Sequence, residues 1–195
     1  WYWDTLGERI VKALKKNRIE AWYFQNREKA TRFLLEQIPL SVKVGVSGSV
    51  TIRELGLIER LEKRGNPLVH HWKPELGHDE AGGRVESVPP GTDLGVRRDA
   101  LNSQVYLCST NAVTVDGKLV NVDGHGNRAA AMIFGPEEVM VVAGMNKAVK
   151  DVPAAMERIK TFTAPISAHR GRAKVPCAET TLCVDAARIF ATGIS

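Results

Sequence analysis

The stretch Val42-Lys43-Val44-Gly45-Val46-Ser47-Gly48-Ser49-Val50-Thr51 indicates the fold class of the chain. Its first half is mostly apolar and β-branched, which predicts a buried strand over 42–46. The Ser47-Gly48-Ser49 turn then opens a helix that we predict over residues 50–64, with Gly65 following its end. A strand that leads through a short polar turn into a helix is the repeating unit of a parallel sheet covered by helices.

The same alternation continues on both sides of this unit. Upstream we predict a helix over 5–17 that starts with a Thr5–Glu8 capping box, a strand over 19–24, and a helix from Asn26 to Pro39. Downstream we predict strands at 67–72, 104–108, 118–122 and 139–143, and helices at 93–101, 128–134 and 153–162. The pattern predicts an α/β fold with a mainly parallel sheet flanked by helices, in one domain over residues 1–195.

Two segments depart from this alternation. Residues 73–92 contain three prolines and four glycines. A loop of this length in a compact domain is typical of a functional lid or a mobile excursion, and we expect it to be the most mobile internal segment. We expect the C-terminal segment, residues 164–195, to be irregular.

Composition narrows the class of protein. The chain has 195 residues, of which 44% are hydrophobic and 25% charged, as in an average soluble globular protein. The longest apolar run, 139–145, is too short to span a bilayer, and the N-terminus lacks the pattern of a secretory signal. Three cysteines are too few for a disulfide framework. We therefore expect a cytoplasmic protein that does not bind membranes.

The net charge of +5 suits an anionic small molecule as well as a nucleic acid. The basic cluster at 169–174 contains no aromatic residue that would stack on a base. We therefore expect an anionic small-molecule ligand and no specific nucleic-acid binding.

Three polar loops follow predicted strands, where open parallel sheets bind their ligands. The first turn, at residues 47–49, opens a helix and can present backbone N–H groups to an anion. The second, over 109–128, is dense in Asn, Asp and Gly, and the third supplies a lysine. The predicted binding residues are Gly48, Ser49, Asn111, Asn121, Gly124, His125, Gly126, Asn127, Arg128 and Lys147. Asp123, in the densest polar loop, is the candidate general base.

Each of these interpretations has a structural alternative. The glycines of the first loop also serve a tight turn, the asparagines also brace turns, and Lys147 is equally consistent with a surface lysine. His71, His78 and Asp79 lack the spacing of a metal site, so no metal ligands are predicted.

Five motifs stand out along the chain, in this order: Gly45-Val46-Ser47-Gly48-Ser49-Val50-Thr51, Ser109-Thr110-Asn111-Ala112-Val113-Thr114-Val115-Asp116-Gly117, Leu119-Val120-Asn121-Val122-Asp123-Gly124-His125-Gly126-Asn127-Arg128, Val142-Ala143-Gly144-Met145-Asn146-Lys147 and Pro176-Cys177-Ala178-Glu179-Thr180. In order and spacing they resemble the lactate-utilisation family, also called the LUD domain. The resemblance implies a sugar-isomerase/CoA-transferase-like fold. It also implies a role in L-lactate or related organic-acid utilisation, beside partners that carry iron–sulfur clusters.

The resemblance leaves the activity open. One alternative is a non-catalytic accessory subunit of an iron–sulfur lactate-oxidation complex, and another is a sugar-phosphate, folate or CoA-ester enzyme of the same superfold. A homo-oligomer is compatible with each. Of the four C-terminal cysteines that relatives often have, Cys177 and Cys183 remain, while Ala186 and Phe190 occupy the other two positions. Since a cluster usually needs four ligands, we expect no bound iron–sulfur cluster and no other cofactor.

Overall fold

The computed structural model describes residues 1–79, 83–183 and 189–192. Within them the α-helices are α1 (Tyr2–Lys16), α2 (Arg27–Gln37), α3 (Val50–Glu54), α4 (Leu57–Arg64), α5 (Leu94–Ala100), α6 (Asn127–Ile133), α7 (Val152–Arg158), α8 (Ala164–Arg170) and α9 (Cys177–Thr180). The strands are β1 (Val44–Val46), β2 (Leu68–His70), β3 (Val105–Cys108), β4 (Ala112–Thr114), β5 (Leu119–Asp123), β6 (Glu138–Val141), β7 (Ala148–Val149) and β8 (Ile189–Thr192).

The first sheet has the order β2-β1-β3-β6, and all of its neighbouring strands are parallel. β1 and β3 lie at its centre, and every residue of both strands is buried. A strand buried on both sides requires a covering layer on each face of the sheet. The predicted α/β fold, with a mainly parallel sheet flanked by helices, is therefore confirmed. Its sugar-isomerase/CoA-transferase-like classification stays a prediction.

Alternate residues of β3 point to the two covering layers. Val105 and Leu107 join one apolar cluster with side chains of α2, α3 and α4, among them the fully buried Leu61. Tyr106 and Cys108 join a second cluster with residues of α5 and α6. The core therefore lies on both faces of this sheet, and the carboxyl ends of its strands share one edge.

A second sheet, which the sequence did not predict, has the order β7-β4-β5-β8. β4 pairs with β5 in an antiparallel hairpin and with β7 in parallel, while β5 pairs antiparallel with β8. Its apolar face packs against α7 and the residue that follows it: Ala155 of α7 and Ile159 are buried with Ala112 and Val120. The short link 109–111 between β3 and β4 carries the chain from one sheet to the other.

Three predicted elements differ in the structure. Residues 19–24 form no strand; Trp22 and Phe24 instead pack their rings against Phe33 of α2. α1 starts at Tyr2, ahead of the predicted Thr5–Glu8 capping box. The helix predicted over 50–64 is two helices, because Gly56 adopts a left-handed conformation, with φ of 62°, between α3 and α4.

The two segments predicted to lack regular structure are partly ordered. Residues 73–92 contain a 3₁₀ turn at Pro74–Leu76 and an isolated bridge between His78 and Arg84, and their mobility stays a prediction. The segment 164–195, expected to be irregular, contains α8, α9 and β8. Phe190 belongs to β8, and Ala186 lies outside the described residues. Among the described helices, none has the length and apolar character needed to cross a membrane.

Candidate functional site

A cleft of about 1210 Å³ opens where the strands of the first sheet end. Its lining includes the segments that follow the carboxyl ends of three strands: 47–51 after β1, His71 and Trp72 after β2, and 109–111 after β3. Side chains of α7 and α8 form part of its boundary. This is the edge at which open parallel sheets bind ligands.

The cleft brings together most of the residues predicted as a binding site. Those among its lining residues are Gly48, Ser49, Asn111, Asp123, Gly124, His125, Asn127, Arg128 and Lys147. Asn121 and Gly126 are not among them. Asn121 is 2% exposed, and Gly126 is the N-cap residue of α6. The three loops therefore converge as expected, with two of the predicted residues serving the scaffold beneath.

Asp123 is bound on both carboxylate oxygens. Its Oδ1 accepts from Arg128, at 2.5 Å from Nη2 and 2.9 Å from Nε, and its Oδ2 accepts from the Ala129 backbone N–H at 2.7 Å. Because the N-cap residue Gly126 has no side chain, Asp123 supplies the capping acceptor of α6. This geometry does not support the predicted role of Asp123 as a general base.

Arg128 holds the polar loop together. Besides Asp123, its guanidinium donates to the Ser109 carbonyl at 3.0 Å, to Asn111 Oδ1 at 2.9 Å and to the Val122 carbonyl at 3.1 Å. Its side chain is 15% exposed. These contacts tie the end of β3 to the end of β5. The guanidinium therefore positions the wall of the cleft, and its hydrogen-bonding capacity is largely used within the protein.

The asparagines of this region also form internal hydrogen bonds. Asn111 Oδ1 accepts from the Val122 backbone N–H at 2.7 Å, and Asn121 Oδ1 accepts from the Asn111 backbone N–H at 3.3 Å. Asn121 Nδ2 contacts Met132 Sδ at 3.4 Å. The alternative interpretation, in which asparagines brace the turns, therefore describes Asn121 and part of Asn111.

Lys147 has two hydroxyl groups as its hydrogen-bond partners. Its Nζ donates to Ser109 Oγ at 2.5 Å and to Thr51 Oγ1 at 3.0 Å, and it pairs with no carboxylate among the described residues. Burial, together with the charges of Arg128 and Arg158, lowers the pKa of Lys147 to about 8. Below that pKa the ammonium attracts an anion; above it the free amine is a nucleophile or base.

A second cluster in the cleft consists of His71, His78, Asp93 and Arg97. Asp93 Oδ2 accepts from Arg97 Nε at 2.5 Å and lies 3.2 Å from His78 Nε2. The ring of His71 lies 4.8 Å from that of His78, centroid to centroid, and stacks on Trp72. Burial lowers the pKa of His71 to about 2, so its imidazole is neutral at physiological pH.

The sequence did not identify this cluster. It suggested Asp79 beside His71 and His78, but Asp79 Oδ1 accepts from the Gly83 backbone N–H at 2.6 Å. Asp93 lies at the start of the helix predicted over 93–101, and its side chain forms no capping hydrogen bond there. The available signal was the spacing of Asp93 and Arg97, four residues apart on one helix face.

Comparison with known protein families tests the resemblance that the sequence motifs indicated. The family model of the LUD domain matches residues 7–191. The chain belongs to the LUD-domain family. No match was found among curated proteins or among solved structures.

The positive charge of this LUD domain is concentrated in its cleft. Counting described residues, nine basic and four acidic side chains are among those that line it, an excess of five. The basic ones are Arg84, Arg97, Arg128, Lys147, Arg158, Lys160, Arg170, Arg172 and Lys174, and the acidic ones are Glu54, Glu86, Asp93 and Asp123. The formal net charge of the whole chain is also +5. The rest of the chain is thus balanced, and the field attracting anions centres on the cleft.

Proposed function

We propose that this LUD domain takes part in the use of L-lactate or a related organic acid by binding an anionic small molecule in the cleft. The observation that carries the proposal is the distribution of charge: the basic excess among the lining residues equals the formal net charge of the whole chain, +5. A concave surface with an excess of one charge raises the local concentration of oppositely charged ligands.

Lys147 is the proposed anchor for the anion. Its ammonium is held by Ser109 Oγ and Thr51 Oγ1, and it forms no ion pair with a carboxylate among the described residues. The two hydroxyl groups that hold the ammonium can also form hydrogen bonds with a ligand bound beside it. A carboxylate or phosphate group bound here would supply the missing counter-charge.

The size of the cleft favours a ligand larger than a three-carbon acid. Its volume of about 1210 Å³ is at or above the upper end of typical small-molecule sites. Apolar and aromatic residues, among them Trp72 and Phe162, line it beside the charged groups. We therefore propose a phosphorylated or CoA-linked organic acid as the preferred class of ligand.

Calorimetric titration with a panel of anions tests the proposal. The panel contains L-lactate, pyruvate, sugar phosphates, folates and CoA esters, with a short DNA duplex to test nucleic-acid binding. We expect saturable one-to-one binding of at least one phosphorylated or CoA-linked acid. Binding of none of the small anions, or of the duplex alone, would contradict the proposal.

The matched pair Lys147→Met and Lys150→Met tests the anchor. Lys150 is exposed and lies three residues further along the chain, outside the lining of the cleft. Lys147→Met should weaken the bound anion about 10- to 100-fold, the scale of losing a hydrogen bond to a charged group. Lys150→Met should leave the affinity unchanged. Equal affinities in both variants would exclude Lys147 as the anchor.

A second candidate function is that of a non-catalytic accessory subunit, and one observation favours it. Asp123, the acidic residue predicted to act as a base, is bound to Arg128 and to the start of α6. Under this alternative the domain binds its anion without converting it and acts through iron–sulfur partner proteins. Chromatographic analysis of the bound ligand after prolonged incubation separates the two functions, since only an enzyme changes the ligand.

A further inference from the structure

We propose that His71, His78 and Asp93 form a binding site for one divalent transition-metal ion on the wall of the cleft. One ligand atom from each of these residues lies within 4.8 Å of those of the other two. All three residues are among those that line the cleft, so a bound ion would face its interior. This inference is independent of the anion proposed at Lys147.

The donor set determines the class of ion. Two imidazole nitrogens and one carboxylate suit Zn²⁺ and Fe²⁺, and three protein ligands leave coordination positions open for water or for a ligand. Mg²⁺ and Ca²⁺ prefer oxygen ligands and are not expected to bind here. The three ligand atoms lie within 4.8 Å of one another, so they must move closer together to hold one ion at coordination distance.

The two histidines are held by their surroundings. The His71 ring stacks on Trp72, with centroids 5.1 Å apart, and Trp72 Nε1 donates to the Ser47 carbonyl at 3.0 Å. His71 is 2% exposed. His78 packs edge-on against both rings. Oriented imidazoles of this kind lose little freedom when they bind a metal.

The turn after β1 passes close to His71. Gly48 has no side chain, and a Cβ placed there would come within 3.2 Å of His71 Nε2 and 3.8 Å of Arg97 Nη1. The neighbouring Ser47 has a buried hydroxyl group without a hydrogen-bond partner among the described residues.

Arg97 is the counter-ion of Asp93 in this cluster. Its Nε donates to the same Asp93 oxygen that lies nearest His78, and its Nη2 lies 3.5 Å from His78 Nε2. A divalent ion and a guanidinium compete for this carboxylate because both are cations. Binding of the ion must therefore displace Arg97 from Asp93, and removal of the guanidinium should favour the metal.

Equilibrium dialysis of chelator-treated protein against Zn²⁺, followed by elemental analysis, tests the site. The wild-type protein should bind about one Zn²⁺ per chain and no Mg²⁺. His78→Ala and Asp93→Asn should each weaken Zn²⁺ binding at least about tenfold. The control His169→Ala, which removes an exposed histidine outside the cleft lining, should have no effect. Arg97→Met should bind Zn²⁺ more tightly than the wild type.

Two further measurements keep the result unambiguous. The chain has three free cysteines, which also bind Zn²⁺, and the spectrum of the Co²⁺-loaded protein must therefore lack a thiolate charge-transfer band. Circular dichroism of each variant establishes that it folds. The proposal is overturned if neither wild type nor Arg97→Met binds Zn²⁺, or if folded His78→Ala and Asp93→Asn bind it as the wild type does. None of these readouts depends on the anion at Lys147.

Discussion

At the scale of single residues, Lys147 gives the chain a defined pH dependence. Burial lowers its pKa to about 8, whereas a lysine in the unfolded chain titrates near 10.4. Between about pH 8 and about pH 10 the unfolded state therefore holds more protons than the folded state. The free energy of unfolding should rise with pH across this window, because the folded protein no longer buries a charge.

Denaturant unfolding of the wild type and of Lys147→Met measures this contribution. Lys147→Met lacks the titrating group, so the difference between the two proteins cancels the other ionisations. We expect the wild type to gain stability relative to Lys147→Met between about pH 7 and about pH 10. A constant difference would show that the Lys147 amine titrates at its ordinary value, and a change in the opposite direction that its pKa is raised; either contradicts the prediction.

The ion pair between Asp123 and Arg128 should matter more for stability than for ligand affinity. The two side chains are 10% and 15% exposed, and they share hydrogen bonds with the starts and ends of three elements. Arg128→Ala leaves a buried carboxylate without its partner, which typically costs about 3–5 kcal/mol. Urea denaturation should show this loss, whereas Arg98→Ala, an exposed arginine on α5, should change the stability by less than about 0.5 kcal/mol.

The same residues show what a sequence predicts at this scale. The crowding of Asn, Asp and Gly over residues 109–128 indicated a polar loop, and several of these residues line the cleft. Their side chains form many hydrogen bonds, whether to a ligand or within the loop. Their partners could not be predicted, since Asp123 was equally able to face a ligand or to cap α6. Asp93 lies 15 residues from His78, and only the tertiary fold brings the two together.

At the scale of secondary-structure elements, the turn at Gly117 fixes the hairpin of β4 and β5 against α1. Gly117 has φ of 83°, and a Cβ added there would lie 2.6 Å from the Ala13 carbonyl carbon and 2.7 Å from the Leu14 nitrogen. Asn17 Nδ2 donates to the carbonyls of Asp116 and Gly117 at 3.1 and 3.0 Å. The hairpin and the helix therefore meet through backbone atoms. Backbone atoms cannot move aside for an added Cβ as a side chain can by changing its rotamer.

Gly117→Ala and Gly65→Ala form a matched pair that separates close packing from backbone strain. Gly65 has φ of 88°, with no atom within 4 Å of an added Cβ. Gly65→Ala should cost about 1 kcal/mol, the strain alone, and Gly117→Ala about 2–4 kcal/mol, because the helix must also move. Thermal and urea unfolding measure both values. Equal losses would mean that the contact with α1 does not constrain the turn.

Elements with a strong local pattern were predictable, and those that depend on distant partners were not. The central strands β1 and β3 are continuous apolar runs between turns, and both were predicted within two residues of their ends. Residues 19–24 have the same apolar character, but their rings pack against α2 and pair with no strand. Periodicity does not distinguish these outcomes, because it reports burial and not hydrogen-bond partners.

The second sheet shows the same limit more clearly. Its strands have two to five residues, and β7 and β8 are far from their partners in sequence. The strand predicted at 118–122 corresponds to β5, but its pairing with β8, and that of β4 with β7, joins distant parts of the chain. This is why the parallel sheet could be predicted, while the sheet that completes the cleft could not.

At the scale of the whole molecule, the concentration of positive charge in the cleft lining should affect how fast an anion associates. The lining of the cleft accounts for the entire formal excess of +5, so a variant that loses charge there should behave unlike one that loses the same charge elsewhere. Fields of this kind act mainly on the rate at which a charged ligand associates. At about 0.1 M salt they are largely screened beyond a distance of about 10 Å.

Two double variants remove the same amount of charge from different places. The first combines Arg172→Gln with Lys174→Gln, and the second combines Lys15→Gln with Lys16→Gln. Arg172 and Lys174 are exposed residues of the cleft lining, whereas Lys15 and Lys16 are exposed at the end of α1. Stopped-flow association of the tightest anion from the calorimetric panel should slow about two- to fivefold in the first pair at about 0.05 M salt. It should be unchanged in the second pair, and at about 0.5 M salt the first pair should match the wild type because the field is screened. If both pairs slow binding equally, net charge and not its location drives the association, and the cleft has no focusing role.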